Sequence, residues 1–119
     1  MAYLIEVPRF DDERGSLCVV DNLLPFEIKR TYYIFNVTGE RGGHRHKKTI
    51  QALVCLSGKC DIYVNDGISE SNFELSDPNM CLIIETKDWH TMKNFTKSAT
   101  LLVMSSEPYD RNDYIDEKY

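Results

Sequence analysis

Short runs rich in β-branched and aromatic residues recur along the whole chain, at Tyr3 to Val7, Ser16 to Asp21, Ile28 to Val37, Ile50 to Leu56, Cys60 to Val64, Met80 to Glu85 and Thr100 to Met104. Each has strand length, and each is bounded by residues that turn the chain. Arg14-Gly15, Ser57-Gly58-Lys59, Asn65-Asp66-Gly67 and Asp77-Pro78-Asn79 supply those turns. No segment before residue 105 sustains a helical apolar period, so helix-based architectures are excluded. Strands at this spacing predict an all-β antiparallel barrel or sandwich. The polar segment from Pro108 to Tyr119 is expected to form a short C-terminal helix or an extended tail. With 119 residues, the chain is read as one domain spanning 1–119, because domains commonly run roughly 100 to 150 residues.

Charge narrows the function. The net charge is −5, the wrong sign for holding a phosphate backbone along its length, so no nucleic-acid partner is expected. No apolar stretch approaches the roughly 20 residues that span a bilayer, so no membrane is expected either. Cys18, Cys55, Cys60 and Cys81 show no CxxC pair and read as reduced thiols of a cytoplasmic protein. Against the acidic background, Arg41, Arg45, Lys47 and Lys48 crowd into one segment, with Lys29 and Arg30 shortly before. A patch this small suits a small anion.

Two of the three histidines, His44 and His46, lie inside that patch. Alternate residues of a strand share a face, so both imidazoles project together and Arg45 projects away. Such a pair can ligate a metal, or it can move protons near neutral pH without one.

His44-x-His46, then Gln51, then Gly58, and later His90 with Asn94 four positions on, resembles the two-motif signature of the cupin superfamily. That resemblance implies a cupin-type antiparallel β-barrel, or jelly roll. In metal-binding cupins a glutamate ligand occupies the place of Gln51. A neutral amide beside Arg41 and Arg45 makes a poor cation trap, so no metal and no other cofactor is expected.

A further resemblance covers nearly the whole chain. Arg14-Gly15-Ser16-Leu17, Pro25-Phe26, Ile28 to Phe35, Arg41 to Lys48, Gln51 to Gly58, Trp89-His90, Tyr109-Asp110 and Asp113-Tyr114-Ile115 follow in the order of the WxcM-like dTDP-sugar 3,4-ketoisomerases. Gly43 departs from the large residue of that family, and Arg45 from its small one. The resemblance implies an isomerase that converts dTDP-4-keto-6-deoxyglucose to a 3-keto-6-deoxyhexose for deoxyamino-sugar biosynthesis. It also implies a homodimer that exchanges strands. A nucleotide-sugar 3,5-epimerase, a metal-dependent cupin enzyme and a non-catalytic sugar-binding cupin are the competing readings.

Moving a ketone between neighbouring carbons needs a base that cycles near neutrality. His46 is expected to be that base, with His44 orienting or shuttling. In β alternation Arg30 and Tyr32 share one face and Tyr33 takes the other, which makes Tyr32 the expected donor to the developing oxyanion. Arg30 and Gln51 are further candidates for that donor. Arg14, Arg30 and Arg41 are expected at the pyrophosphate, with help from Lys47. Trp89 is expected to stack on the base or wall the sugar site, and His90 to line it.

Overall fold

The computed structural model describes residues 1–119. Its strands are β1 Tyr3–Glu6, β2 Arg9–Asp12, β3 Gly15–Cys18, β4 Arg30–Phe35, β5 Arg41–His46, β6 Gln51–Ser57, β7 Cys60–Asn65, β8 Glu70–Leu75, β9 Met80–Ile84, β10 Trp89–Lys93, β11 Thr100–Ser105 and β12 Tyr114–Ile115. One five-stranded sheet has the order β1-β9-β6-β11-β4, and a second has the order β12-β5-β10-β7-β8. Every pairing is antiparallel. The all-β jelly roll is therefore as expected, built as two facing sheets that do not close into a barrel. β2 and β3 form a separate hairpin whose residues are all exposed.

The core lies between the sheets, where Leu53, Ile62, Val64, Leu82, Leu101 and Val103 meet with little or no exposure. A second apolar cluster lies on the outer face of the first sheet, where Val54, Ile83 and Met104 are covered by Val20, Leu23, Leu24 and Phe26. That cover explains why β6 from Gln51 to Cys55 and β9 from Cys81 to Ile84 are buried on both faces, like strands inside a doubly covered sheet. In β4 burial alternates along the strand, with Arg30, Tyr32 and Ile34 inward and Thr31, Tyr33 and Phe35 outward.

Local backbone geometry sets the histidine strand. β5 pairs with β10 through His90↔His44 and Thr91↔Gly42, so Gly43 is an extra residue and the ladder bulges there. Gly42 has φ +87, and a Cβ on it would stand 2.9 Å from the His90 carbonyl oxygen. Only glycine combines that backbone with that approach. Gly58 plays the same part in the β6–β7 hairpin, with φ +65 and a Cβ position 2.8 Å from Ala99.

The end of the chain forms a single 3-10 turn, Arg111–Asp113, capped by the Asp110 carboxylate, which accepts from the Asn112 N–H. β12 follows and pairs with β5 through Tyr114↔His46 and Ile115↔Arg45. The last residues lie against the second sheet. Trp89 Nε1 donates to the Asp116 carbonyl at 3.0 Å, and Tyr119 Oη donates to that of Lys87 at 2.8 Å.

Candidate active site

Between the two sheets, where edge strand β4 faces β5 without pairing to it, a cavity of about 400 Å³ opens. Arg30 and Tyr32 line it from β4, Arg41 and His44 from β5, Gln51 from β6, His90 and Met92 from β10, and Tyr114 from β12. His44 has its ring 5.0 Å from that of His46 and 5.0 Å from that of His90. His46 is itself buried at 4 % exposure and is not part of the lining. Tyr114 packs against both rings, at 4.5 and 4.6 Å.

Hydrogen bonds fix which nitrogen of two rings carries the proton. His90 Nδ1 lies 3.1 Å from the Asp88 carbonyl oxygen, and His46 Nδ1 lies 2.9 Å from Asp113 Oδ2. Both partners only accept, so both Nδ1 atoms carry hydrogen and both Nε2 atoms keep a lone pair. Neither Nε2 has a partner within the chain, and Gln51 Oε1 is likewise unpaired. The Gln51 amide nitrogen donates at 3.3 Å to both Tyr32 Oη and Ser105 Oγ.

Electrostatics keep these rings neutral. Burial, and then the neighbouring His46, push His44 down to about 4. Burial and then His44 push His90 down to about 3. Burial also lowers His46, although the Asp113 carboxylate works in the opposite direction. Tyr32 is raised, chiefly by burial and against the opposing pull of Gln51 and Arg30, and stays protonated as a donor. The Arg30 guanidinium lies over Tyr32 at 4.4 Å and over Tyr109 at 5.2 Å.

His90 makes folding sensitive to acid. The unfolded chain binds a proton at this residue below its ordinary pKa near 6.5, whereas the folded protein resists until about pH 3. The stability His90 confers is therefore complete above pH 6.5 and drains away as pH falls. Between pH 7 and pH 4 the expected loss from His90 is about 3 kcal/mol. Urea unfolding at intervals across that range will measure it.

No three His, Cys, Asp or Glu side chains come together as ligands, and the place of the motif glutamate holds the neutral amide of Gln51. Three other expected site residues lie elsewhere. Arg14 is at the tip of the β2–β3 hairpin, 84 % exposed and 2.6 Å from Asp12 Oδ2. It lines a hollow of about 420 Å³ with Phe10 and Leu17 that contains no histidine. Lys47 is exposed and outside the cavity lining. Trp89 packs against Tyr63 and beneath Lys118, also outside the lining. Asp113 and Tyr114 had no role on sequence grounds, and their sole signal there was membership of the Asp113-Tyr114-Ile115 block.

A family model described as FdtA: WxcM-like, C-terminal matches residues 2–119. The chain belongs to this family. One curated relative, the TDP-4-oxo-6-deoxy-alpha-D-glucose-3,4-oxoisomerase of Aneurinibacillus thermoaerophilus, is 40% identical over 116 residues, covering 94% of this chain and 84% of the relative. The solved structure of the WlaRB TDP-quinovose 3,4-ketoisomerase from Campylobacter jejuni superimposes with TM-score 0.93 at 40% identity, covering 98% of this chain and 92% of that one. The QdtA 3,4-ketoisomerase from Thermoanaerobacterium thermosaccharolyticum, solved in complex with TDP, gives TM-score 0.93 at 39% identity over 98% and 88% of the two chains. In this chain Gly43 and Arg45 stand on either side of His44.

Proposed function

We propose that the chain is a sugar-nucleotide 3,4-ketoisomerase that converts dTDP-4-keto-6-deoxyglucose to the 3-keto isomer, with His44 as the proton carrier. The observation that carries this reading is a neutral imidazole on the cavity wall, with a tyrosine hydroxyl and two guanidiniums lining the same cavity. Proton-transfer chemistry beside a phosphorylated ketone needs that combination.

The steps balance without a redox cofactor. His44 takes the C3 proton, and the C3–H electron pair becomes the C3–C4 double bond while the C4 carbonyl pair moves to oxygen. The enediolate accepts a hydrogen bond from Tyr32, whose ring lies under the Arg30 guanidinium. The O3 proton passes to O4, the C3–O3 carbonyl forms, and protonated His44, after exchanging its proton with solvent, delivers a proton to C4. This reverses the order of the two histidines expected from sequence, because His46 is turned to Asp113 behind the cavity wall. Arg41 and Arg30 hold the pyrophosphate, and Gln51 orients Tyr32.

The reading includes a cytoplasmic homodimer. Free cysteines suit a reducing compartment. Exposed Phe10 and Leu17 on the unpaired hairpin, and Tyr33 stacked near Phe35 on the outer face of β4, are apolar surface suited to a second copy. Arg14 on that hairpin then serves the second copy's pyrophosphate.

Incubation with dTDP-4-keto-6-deoxyglucose in deuterated water, followed by NMR of the sugar, tests the reaction. The expected product has its ketone at C3 and solvent-derived hydrogen at C4. Recovery of a 4-ketone labelled at C5 would sink the reading in favour of epimerisation, and tight binding without turnover would sink it in favour of a sugar-binding protein.

A further inference from the structure

Asp113 is a buried carboxylate that no step above uses. It lies 67 residues from His46 in the sequence, at 4 % exposure, and it is filled by donors. Oδ2 receives His46 Nδ1–H at 2.9 Å and the Thr49 hydroxyl, while Oδ1 receives the Lys48 N–H at 2.8 Å. Burial alone would raise its pKa, but the hydrogen bonds from Thr49, Lys48 and His46 outweigh burial and hold it below the ordinary value. The group is an anion in the folded protein.

We infer that Asp113 is a positioning residue for the isomerisation, acting through His46 on the basicity and orientation of His44. This rests on the ketoisomerase reading. An ionised carboxylate can only accept, so it locks His46 with Nδ1 protonated and Nε2 bare. The His46 ring stands edge-on to His44 at 88°. When His44 takes the C3 proton, its new positive charge faces a polarised neutral ring with a fixed anion behind it. That field favours the protonated state more than the ground state, which is the condition for speeding a step. The backbone of the same residue also carries the site wall. The Asp113 carbonyl accepts from the Lys47 N–H at 2.8 Å, and the next residue pairs with His46, which sets the Tyr114 ring against both histidines.

Asp113→Asn separates the electrostatic role from anchoring. The amide keeps the volume, its oxygen still accepts from Lys48 N–H, and its nitrogen donates to Thr49, whose hydroxyl can rotate to accept. That same nitrogen now faces His46 Nδ1, which must become an acceptor, so the tautomer inverts. The expected result is a kcat lower by about 10- to 100-fold with KM within about threefold of the parent, as for other residues that orient a reactive group. NMR of protein labelled in its histidine nitrogens should show His46 protonated at Nδ1 in the parent and at Nε2 in the variant. An unchanged kcat, an unchanged His46 tautomer, or a kcat loss matched by weaker dTDP binding and a lower Tm would overturn the inference. A parent protein that does not turn over the ketosugar refutes the ketoisomerase reading instead, and the nitrogen spectra still decide the Asp113–His46 lock.

Discussion

Replacing His44 by Asn is expected to lower kcat about 1,000-fold, within the range that a positioned general base contributes, while dTDP affinity stays close to that of the parent. Of the two strand histidines, His44 is the one that lines the cavity, whereas His46 is turned to Asp113 behind it. Asn has a similar reach near the backbone and keeps a polar group in the wall, but it cannot cycle a proton. The two cavity guanidiniums proposed to hold the nucleotide, Arg30 and Arg41, are untouched. Stopped assays of ketone migration give kcat, and titration calorimetry with dTDP gives the affinity. His46→Asn should do less, since it removes the ring behind the base and not the base. A reversed ranking, with His46→Asn inactive and His44→Asn active, would return the base to His46. The pH profile adds a second check. With His44 at about 4, it is a neutral base at every pH well above that value. The acid limb of kcat/KM should therefore fall near pH 4, well below the ordinary imidazole range.

The strands that bury alternate or continuous apolar faces were legible in the sequence. β4 is the clearest case, because Arg30 and Tyr32 share the inward face that period-two alternation predicts. β2, β8, β10 and β12 were not read as strands. β8, Glu70–Leu75, turns Glu70, Asn72 and Glu74 to solvent and carries few apolar residues inward, whereas β10 buries His90 and Thr91, polar residues that a hydrophobic pattern does not register. The histidine strand was recognised by its spacing, but the bulge at Gly43 depends on pairing with β10, and pairing partners are not written in a local pattern. The same limit explains Asp113. Its chemistry comes from three donors on the β5–β6 connection and β5, which the fold brings to it across the second sheet's edge. Trp89 shows the converse. An aromatic next to a site histidine invites a binding role, yet strand alternation turns its neighbour His90 into the cavity and sends Trp89 to the outer face, under Lys118.

Arg30→Ala is expected to lower kcat/KM about 100-fold, the combined effect of losing a charge-assisted phosphate contact and a cation–π contact. The residue has two jobs in the proposed site. Its guanidinium lines the cavity as a cationic hydrogen-bond donor for the phosphates, and it covers the Tyr32 ring at 4.4 Å, steadying the hydroxyl that meets the enediolate. Loss of the first raises KM, and loss of the second lowers kcat. Arg41 is exposed at the cavity edge and stacks on no ring, so Arg41→Ala should raise KM about tenfold with little change in kcat, and its effect should shrink at high salt. Arg30→Lys separates the two jobs again. The ammonium retains the charge but lacks the planar fork and the stacking face, so KM should recover further than kcat. Steady-state kinetics of the three variants, beside calorimetric dTDP affinities, read out the split. If Arg30→Ala leaves dTDP affinity unchanged, the residue is no phosphate ligand and its place in the cavity serves Tyr32 alone. If its kcat is unchanged while affinity falls, the cation over Tyr32 does nothing for the enediolate, and the oxyanion contacts must come from Tyr32 unaided.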